Sequence, residues 1–76
     1  MQRTWDYNRN MKIQLNGEPY QTDSVLTIAQ LITQLSMGDK RFAVEVNEQI
    51  IPRGKHSEHQ LQESDIVEIV VAIGGG

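Results

Sequence analysis

The stretch that most constrains this chain lies near its C-terminus. Residues 66–73, Ile-Val-Glu-Ile-Val-Val-Ala-Ile, form the most apolar and β-branched run in the sequence. β-Branched side chains are stiff at χ1 and pack well on a pleated surface, so the run reads as a strand. With Glu68 its one polar residue, it fits the centre of a sheet better than an edge. Length then bounds what can surround it. At 76 residues there is room for one domain, and a domain this small buries only about 60% of the surface its unfolded chain exposes. A sheet of short strands needs one covering layer to keep a core dry.

The remaining patterns supply neighbours and a cover. Lys12-Ile13-Gln14-Leu15-Asn16 alternates, with Ile13 and Leu15 on one face. Asn16-Gly17 follows, a pair that tolerates positive φ at both central positions of a hairpin turn. Glu18 to Thr22 returns as a second strand, and Pro19, lacking an N–H, makes it either an edge strand or one that starts late. Thr27-Ile28-Ala29-Gln30 has the spacing of a capping box. Behind it Ile28, Leu31, Ile32 and Leu35 form one apolar stripe at helical spacing, with Gly38 placed to end the helix in a left-handed cap. Phe42 to Asn47 alternates again, with Phe42, Val44 and Val46 inward. Asn47-Glu48 is a turn candidate, and Gln49-Ile50-Ile51 a short strand stopped by Pro52. Arg53 to Gln60 is polar and loop-like, and Glu63-Ser64-Asp65 a turn. The expectation is an α+β domain: a four- to five-stranded mixed sheet covered by one main helix, the last strand parallel to the first. That is the β-grasp, or ubiquitin-like, arrangement. The domain spans residues 11–73, between an extension over 1–10 and a glycine tail over 74–76.

Composition removes several function classes. Apolar residues make up 38% and charged residues 22%, a globular balance. The net charge is −3 and no basic face stands out, which argues against a nucleic-acid partner. No run reaches the length of a membrane span, and no signal peptide pattern opens the chain. The absence of cysteine removes disulfides, thiolate-bound zinc and thiol catalysis together and fits a cytoplasmic protein. His56 and His59 lie three apart, but a zinc site needs three or four ligands, so they read as exposed loop histidines. Ser24, Ser36, Ser57 and Ser64 have no base partner, and no phosphate-binding loop or nucleophile elbow is present. The sequence shows no catalytic constellation and no cofactor site of its own.

Residues 1–10 are polar and lack either period. They read as a disordered extension, or as an arm that docks Trp5 and Tyr7 on the domain or a partner. Without Arg3, Arg9 and Asp6 the body carries −4, that is −3 less a segment charge of +1.

At the other end Gly74-Gly75-Gly76 directly follows the most apolar strand. Three glycines add nothing to a core. They are either a frayed end or a thin thread able to enter a narrow slot and present the carboxylate of Gly76. That carboxylate has a reference pKa of about 3.5 and is an anion at neutral pH. It becomes an electrophile only after activation, as in an acyl-adenylate. Attack by sulfide would then leave a thiocarboxylate, and no internal thiol is present to exchange with it. In the strand before the tail, Glu68 marks the solvent side. Val67, Ile69 and Val71 then face the helix, and Val70 and Ala72 share the open face with Glu68, with Ile73 leaving the sheet. Glu68, Val70, Ala72 and Ile73 form either a docking surface beside the tail or the half-buried face of a central strand.

Three segments in order resemble the ThiS family of sulfur carrier proteins. They are Met11-Lys12-Ile13-Gln14-Leu15-Asn16-Gly17, then Val46-Asn47-Glu48-Gln49-Ile50-Ile51-Pro52-Arg53, then Asp65-Ile66-Val67-Glu68-Ile69 leading to Ala72-Ile73-Gly74-Gly75-Gly76. The resemblance implies a ubiquitin-like fold and a set of partners. A ubiquitin-activating-like adenylyltransferase would use ATP to adenylate Gly76. A sulfur-donating enzyme would supply sulfur drawn ultimately from cysteine, and the thiocarboxylate would pass it to thiazole synthase for the thiazole ring of thiamine. Gly75 carries over as the other residue of the diglycine, and Gly74 as a spacer. The sulfur carrier for molybdopterin shares the fold and the diglycine end, but has a proline-containing segment where this chain has Val70-Val71-Ala72-Ile73. A ubiquitin-like modifier and an inert interaction domain are the other readings the tail allows.

Overall fold

The computed structural model describes residues 10–72. β1 (Met11–Leu15) and β2 (Glu18–Thr22) form a hairpin. α1 (Ile28–Gln34) follows, then β3 (Phe42–Val46), β4 (Gln49–Ile51), a 3₁₀ turn (Arg53–Lys55) and β5 (Ile66–Val71). The sheet runs β2-β1-β5-β3-β4, which puts β5 in the middle. β5 is parallel to β1 and antiparallel to β3. The order, the mixed sheet and the one α-helix among the described residues are those of the β-grasp.

Local chemistry sets the two hairpins. Asn16 and Gly17 have φ of 51° and 84°, the left-handed pair that a two-residue turn requires if its strands are to keep their twist. Asn47 and Glu48 do the same at 51° and 71°, although Glu48 is a residue that disfavours this region. Pro19 sits opposite Gln14 on edge strand β2. With Leu15 and Glu18 as the closing pair of the turn, Pro19 faces outward, where no ladder bond needs its missing N–H.

α1 begins with the capping box read from the sequence. The Gln30 N–H donates to Thr27 Oγ1 at 3.1 Å, and the Thr27 N–H donates to Gln30 Oε1 at 2.8 Å. The helix ends sooner than Gly38. Leu35 is the C-cap, and its N–H reaches both Leu31 O and Ile32 O. Ser36, at φ 56°, then supplies the left-handed reversal, and Gly38, at φ 64°, belongs to the following turn. The tightened last turn already satisfies the late carbonyls, so the chain leaves the helix before the glycine.

The core lies between this helix and the sheet. Ile13 from β1, Ile28 and Leu31 from α1, Val44 and Val46 from β3, and Val67 and Ile69 from β5 are buried, joined by Met11, Leu26 and Leu61. Val71, expected to face the helix, is 37% exposed. Seven helical residues span about 10 Å, whereas six strand residues span about 20 Å. The end of β5 therefore outruns its cover.

The polar stretch after β4 is more ordered than its composition predicts. The Ile28 N–H donates to His59 O at 3.0 Å and the Ala29 N–H to His56 O at 2.9 Å. Carbonyls of this segment thus satisfy first-turn donors of α1, which otherwise have no intrahelical partner. Contrary to expectation, His56 is buried. Its Nε2 lies 2.9 Å from Ile51 O, and its ring stacks on Phe42 at a centroid distance of 6.2 Å. Among the described residues no helix is long and apolar enough to cross a membrane.

Candidate functional site

β5 carries the candidate site because it leads into the glycine tail. Alternation along it is sharp: Val67 and Ile69 are buried, while Ile66, Glu68 and Val70 are exposed. Glu68, Val70 and Ala72 are therefore all on the surface, as parity predicts. Val70 is 57% exposed. Ile73, Gly74, Gly75 and Gly76 lie outside the described residues, as do Trp5 and Tyr7.

The register with β3 shows what stands beside these residues. Ala43 lies opposite Val70, and Glu45 lies opposite Glu68. One step further, the Ala72 N–H donates to Arg41 O at 2.9 Å, which continues the ladder to the root of the tail. On the far side of β3, Ile50 is paired with Glu45 and is 68% exposed. The open face thus runs from Arg41 and Ala72 at the tail root, through Ala43 and Val70, to the carboxylate pair Glu45 and Glu68. Below that pair a depression of about 280 Å³ is lined by Glu45, Asn47, Glu48, Ile66 and Glu68.

Sequence reasoning did not single out Arg41, Ala43, Glu45 or Ile50. The signal for Ala43 and Glu45 was present, because Phe42, Val44 and Val46 inward puts them outward. Their position beside Val70 and Glu68 needs the β3–β5 register, which no local pattern encodes.

Two turn asparagines hold β5 in place. Asn16 Oδ1 accepts the Ile69 N–H at 2.8 Å, beyond the point where the β1 backbone turns away. Asn47 Oδ1 accepts the Ile66 N–H at 3.0 Å, and its Nδ2 donates to Asp65 Oδ1 at 3.0 Å. The strand that bears the tail is fixed from both neighbours.

Among the described residues no group of three or more His, Cys, Asp or Glu is placed to hold a metal ion. His56 is spent on Ile51 O and Phe42, and His59 is half-buried apart from it.

The comparisons with known proteins agree with this arrangement. The ThiS family model matches residues 13–76. The chain belongs to the ThiS family. The Sulfur carrier protein ThiS of Escherichia coli is 30% identical over 66 residues, covering 87% of this chain and 100% of that protein. A crystal structure of the thiamine biosynthesis protein ThiS from Geobacter metallireducens superposes with a TM-score of 0.75 at 26% identity, covering 87% of this chain and 100% of that one. A thiazole synthase of Magnetococcus marinus is 41% identical over 66 residues, which are 87% of this chain but 20% of that protein. This chain therefore matches one fifth of that enzyme's length.

Proposed function

We propose that the chain is a sulfur carrier of thiamine biosynthesis and not itself a catalyst. The observation that supports this most is a family match that continues through residue 76, the third glycine. The thiazole synthase whose chain contains a segment like this one supports the choice of pathway.

In this reading the domain is a handle and the tail is the reagent. A ubiquitin-activating-like adenylyltransferase binds the open face around Glu68, Val70, Ala72 and Ile73, and Gly74 and Gly75 thread toward its active site. An oxygen of the Gly76 carboxylate attacks the α-phosphorus of ATP held by that partner. A P–O bond forms and pyrophosphate leaves, giving an acyl-adenylate. Hydrosulfide, supplied by a sulfur-donating enzyme, attacks the acyl carbon. The C–S bond forms, the C–O bond to AMP breaks, and a thiocarboxylate remains on Gly76. Glycine suits this position because no side chain shields the carbonyl from attack. The thiocarboxylate then donates its sulfur to thiazole synthase. ATP is a substrate of the partner, and the carrier holds no cofactor.

The test is the intact mass of the chain after incubation with the adenylyltransferase of the same organism, ATP and sulfide. A species heavier by the exchange of one oxygen for sulfur, mapped to Gly76 and absent from a chain lacking Gly76, is expected. An amide to a lysine of another protein would replace this reading with a ubiquitin-like modifier. An unchanged mass would leave an inert interaction domain. If the sulfur is loaded but passes to molybdopterin synthase and not to thiazole synthase, the pathway assignment fails while the carrier chemistry stands.

A further inference from the structure

Among the described residues α1 packs on one face of the sheet and nothing packs on the other. On that second face stand Ile50, Ile66 and Val70, three of the five exposed large apolar side chains among the described residues. An apolar patch of this kind marks a surface that receives something. A second copy of the chain fits it badly. A two-fold pairing of this face would crowd Glu45 and Glu68 of one copy against those of the other, on chains of net charge −3.

The chain carries an occupant of its own. Residues 1–9 lie outside the described residues and join the domain at Asn10, at the head of β1. Gln14, four residues further on, is paired with Ile66, so Ile66 stands about 14 Å from Asn10. Trp5 is five residues from Asn10 in the other direction, and five extended residues span up to about 17 Å. A chain that bends back at Asn10 therefore brings Trp5 to Ile66. Two aromatics are too few to set a period, yet Trp5 and Tyr7, two apart, share one side of an extended chain, and Arg3 and Arg9 share it with them. The segment carries +1 and the body −4, so the two attract. The family match begins at residue 13, which leaves this segment outside what the family shares.

We propose that residues 1–9 fold back over the open face, seat Trp5 on Ile66, and cover in cis the surface on which a partner docks. On this path Arg3 comes level with Glu68, since each lies two residues beyond the Trp5–Ile66 contact. A depression lined by Val25, Met11 and Leu61 is nearer to Asn10, but Val25 is its one exposed apolar residue, so it offers an indole less surface. The seating does not depend on the carrier reading, whereas its consequence rests on it. In that reading the arm and the activating enzyme compete for one face, and only the fraction of carrier with its arm released can dock.

Trp5 is the only tryptophan, so its fluorescence reports the seat directly. The full chain is expected to emit at shorter wavelength than in concentrated urea, at every protein concentration, with nuclear Overhauser contacts from the indole to the Ile66 methyl groups. Ile66→Gln should move the emission to the urea value while circular dichroism shows the fold retained, and Val25→Gln should not. Three results would each overturn the proposal. They are emission at the urea value in the wild type, a shift lost on dilution (a second copy as the occupant), and a shift abolished by Val25→Gln but not by Ile66→Gln. If Ile66→Gln fails to fold, the presence or absence of the Overhauser contacts in the wild type decides. The consequence is read by ATP–pyrophosphate exchange with the adenylyltransferase of the same organism. Trp5→Ala with Tyr7→Ala should lower the KM for the carrier by about threefold or more. An unchanged KM would overturn the competition while exchange by the wild type upholds the carrier reading. No exchange with the wild type would overturn that reading and leave the seating to be decided by the fluorescence.

Discussion

At the scale of single residues, the two turn asparagines do more than turn the chain. Asn16-Gly17 is legible as a hairpin from two letters, because few residues accept positive φ. That the Asn16 side chain also accepts the Ile69 N–H, across 53 positions of sequence, is not legible. The two roles separate by substitution. Asn16→Gly keeps the backbone angle and loses the acceptor, and should cost about 1 kcal/mol in urea denaturation. Asn16→Asp retains an acceptor and should cost less. At the other turn the strain lies in Glu48, at φ 71°. Glu48→Gly should raise stability by about 0.5–1 kcal/mol, the relief of a left-handed L-residue less the added freedom of glycine in the unfolded chain. A drop in the urea midpoint would show that the Glu48 side chain contributes more than its backbone costs.

At the scale of elements, α1 is too short to stand alone, since isolated helices below about 12 residues are marginal in water. Its stability comes from packing and from its first turn. Thr27→Ala removes an acceptor for the Gln30 N–H and should cost about 1 kcal/mol, read as a lower urea midpoint with an unchanged slope. The capping box and the apolar stripe were both visible in the sequence, because each depends on neighbours within one or two turns. The role of residues 53–60 was not. Its polar composition predicts a loop, yet His56 and His59 give their carbonyls to the Ala29 and Ile28 N–H groups. A backbone carbonyl has no side-chain signature, so such a cap cannot be read from letters. For the same reason a histidine expected in solvent is buried against Phe42. The helix end was misplaced because Ser36 took the left-handed position that glycine usually fills.

At the scale of the molecule, the described residues cover one sheet face with α1 and leave the other open. The central place of β5 and its alternation followed from the composition of the run, while the neighbours of its outward residues needed the register. Val70→Asp tests the division. Val70 is 57% exposed, so the change should cost at most about 1 kcal/mol of stability, measured by thermal unfolding. In the carrier reading it should weaken activation by far more than it weakens the fold. Loss of the folded state instead would mean that the open face belongs to the core. The parallel pairing of β1 with β5 has a further consequence. Gln14 meets Ile66 across 52 positions, 66 less 14, so the middle of the sheet closes only when nearly the whole chain is present. A chain that stops short of β5 lacks the tail, and it also lacks the strand between β1 and β3. In the carrier reading such a product has no docking face with which to occupy a partner enzyme unproductively. By placing β5 at the centre, the fold makes recognition, in that reading, wait on the strand that leads into the tail.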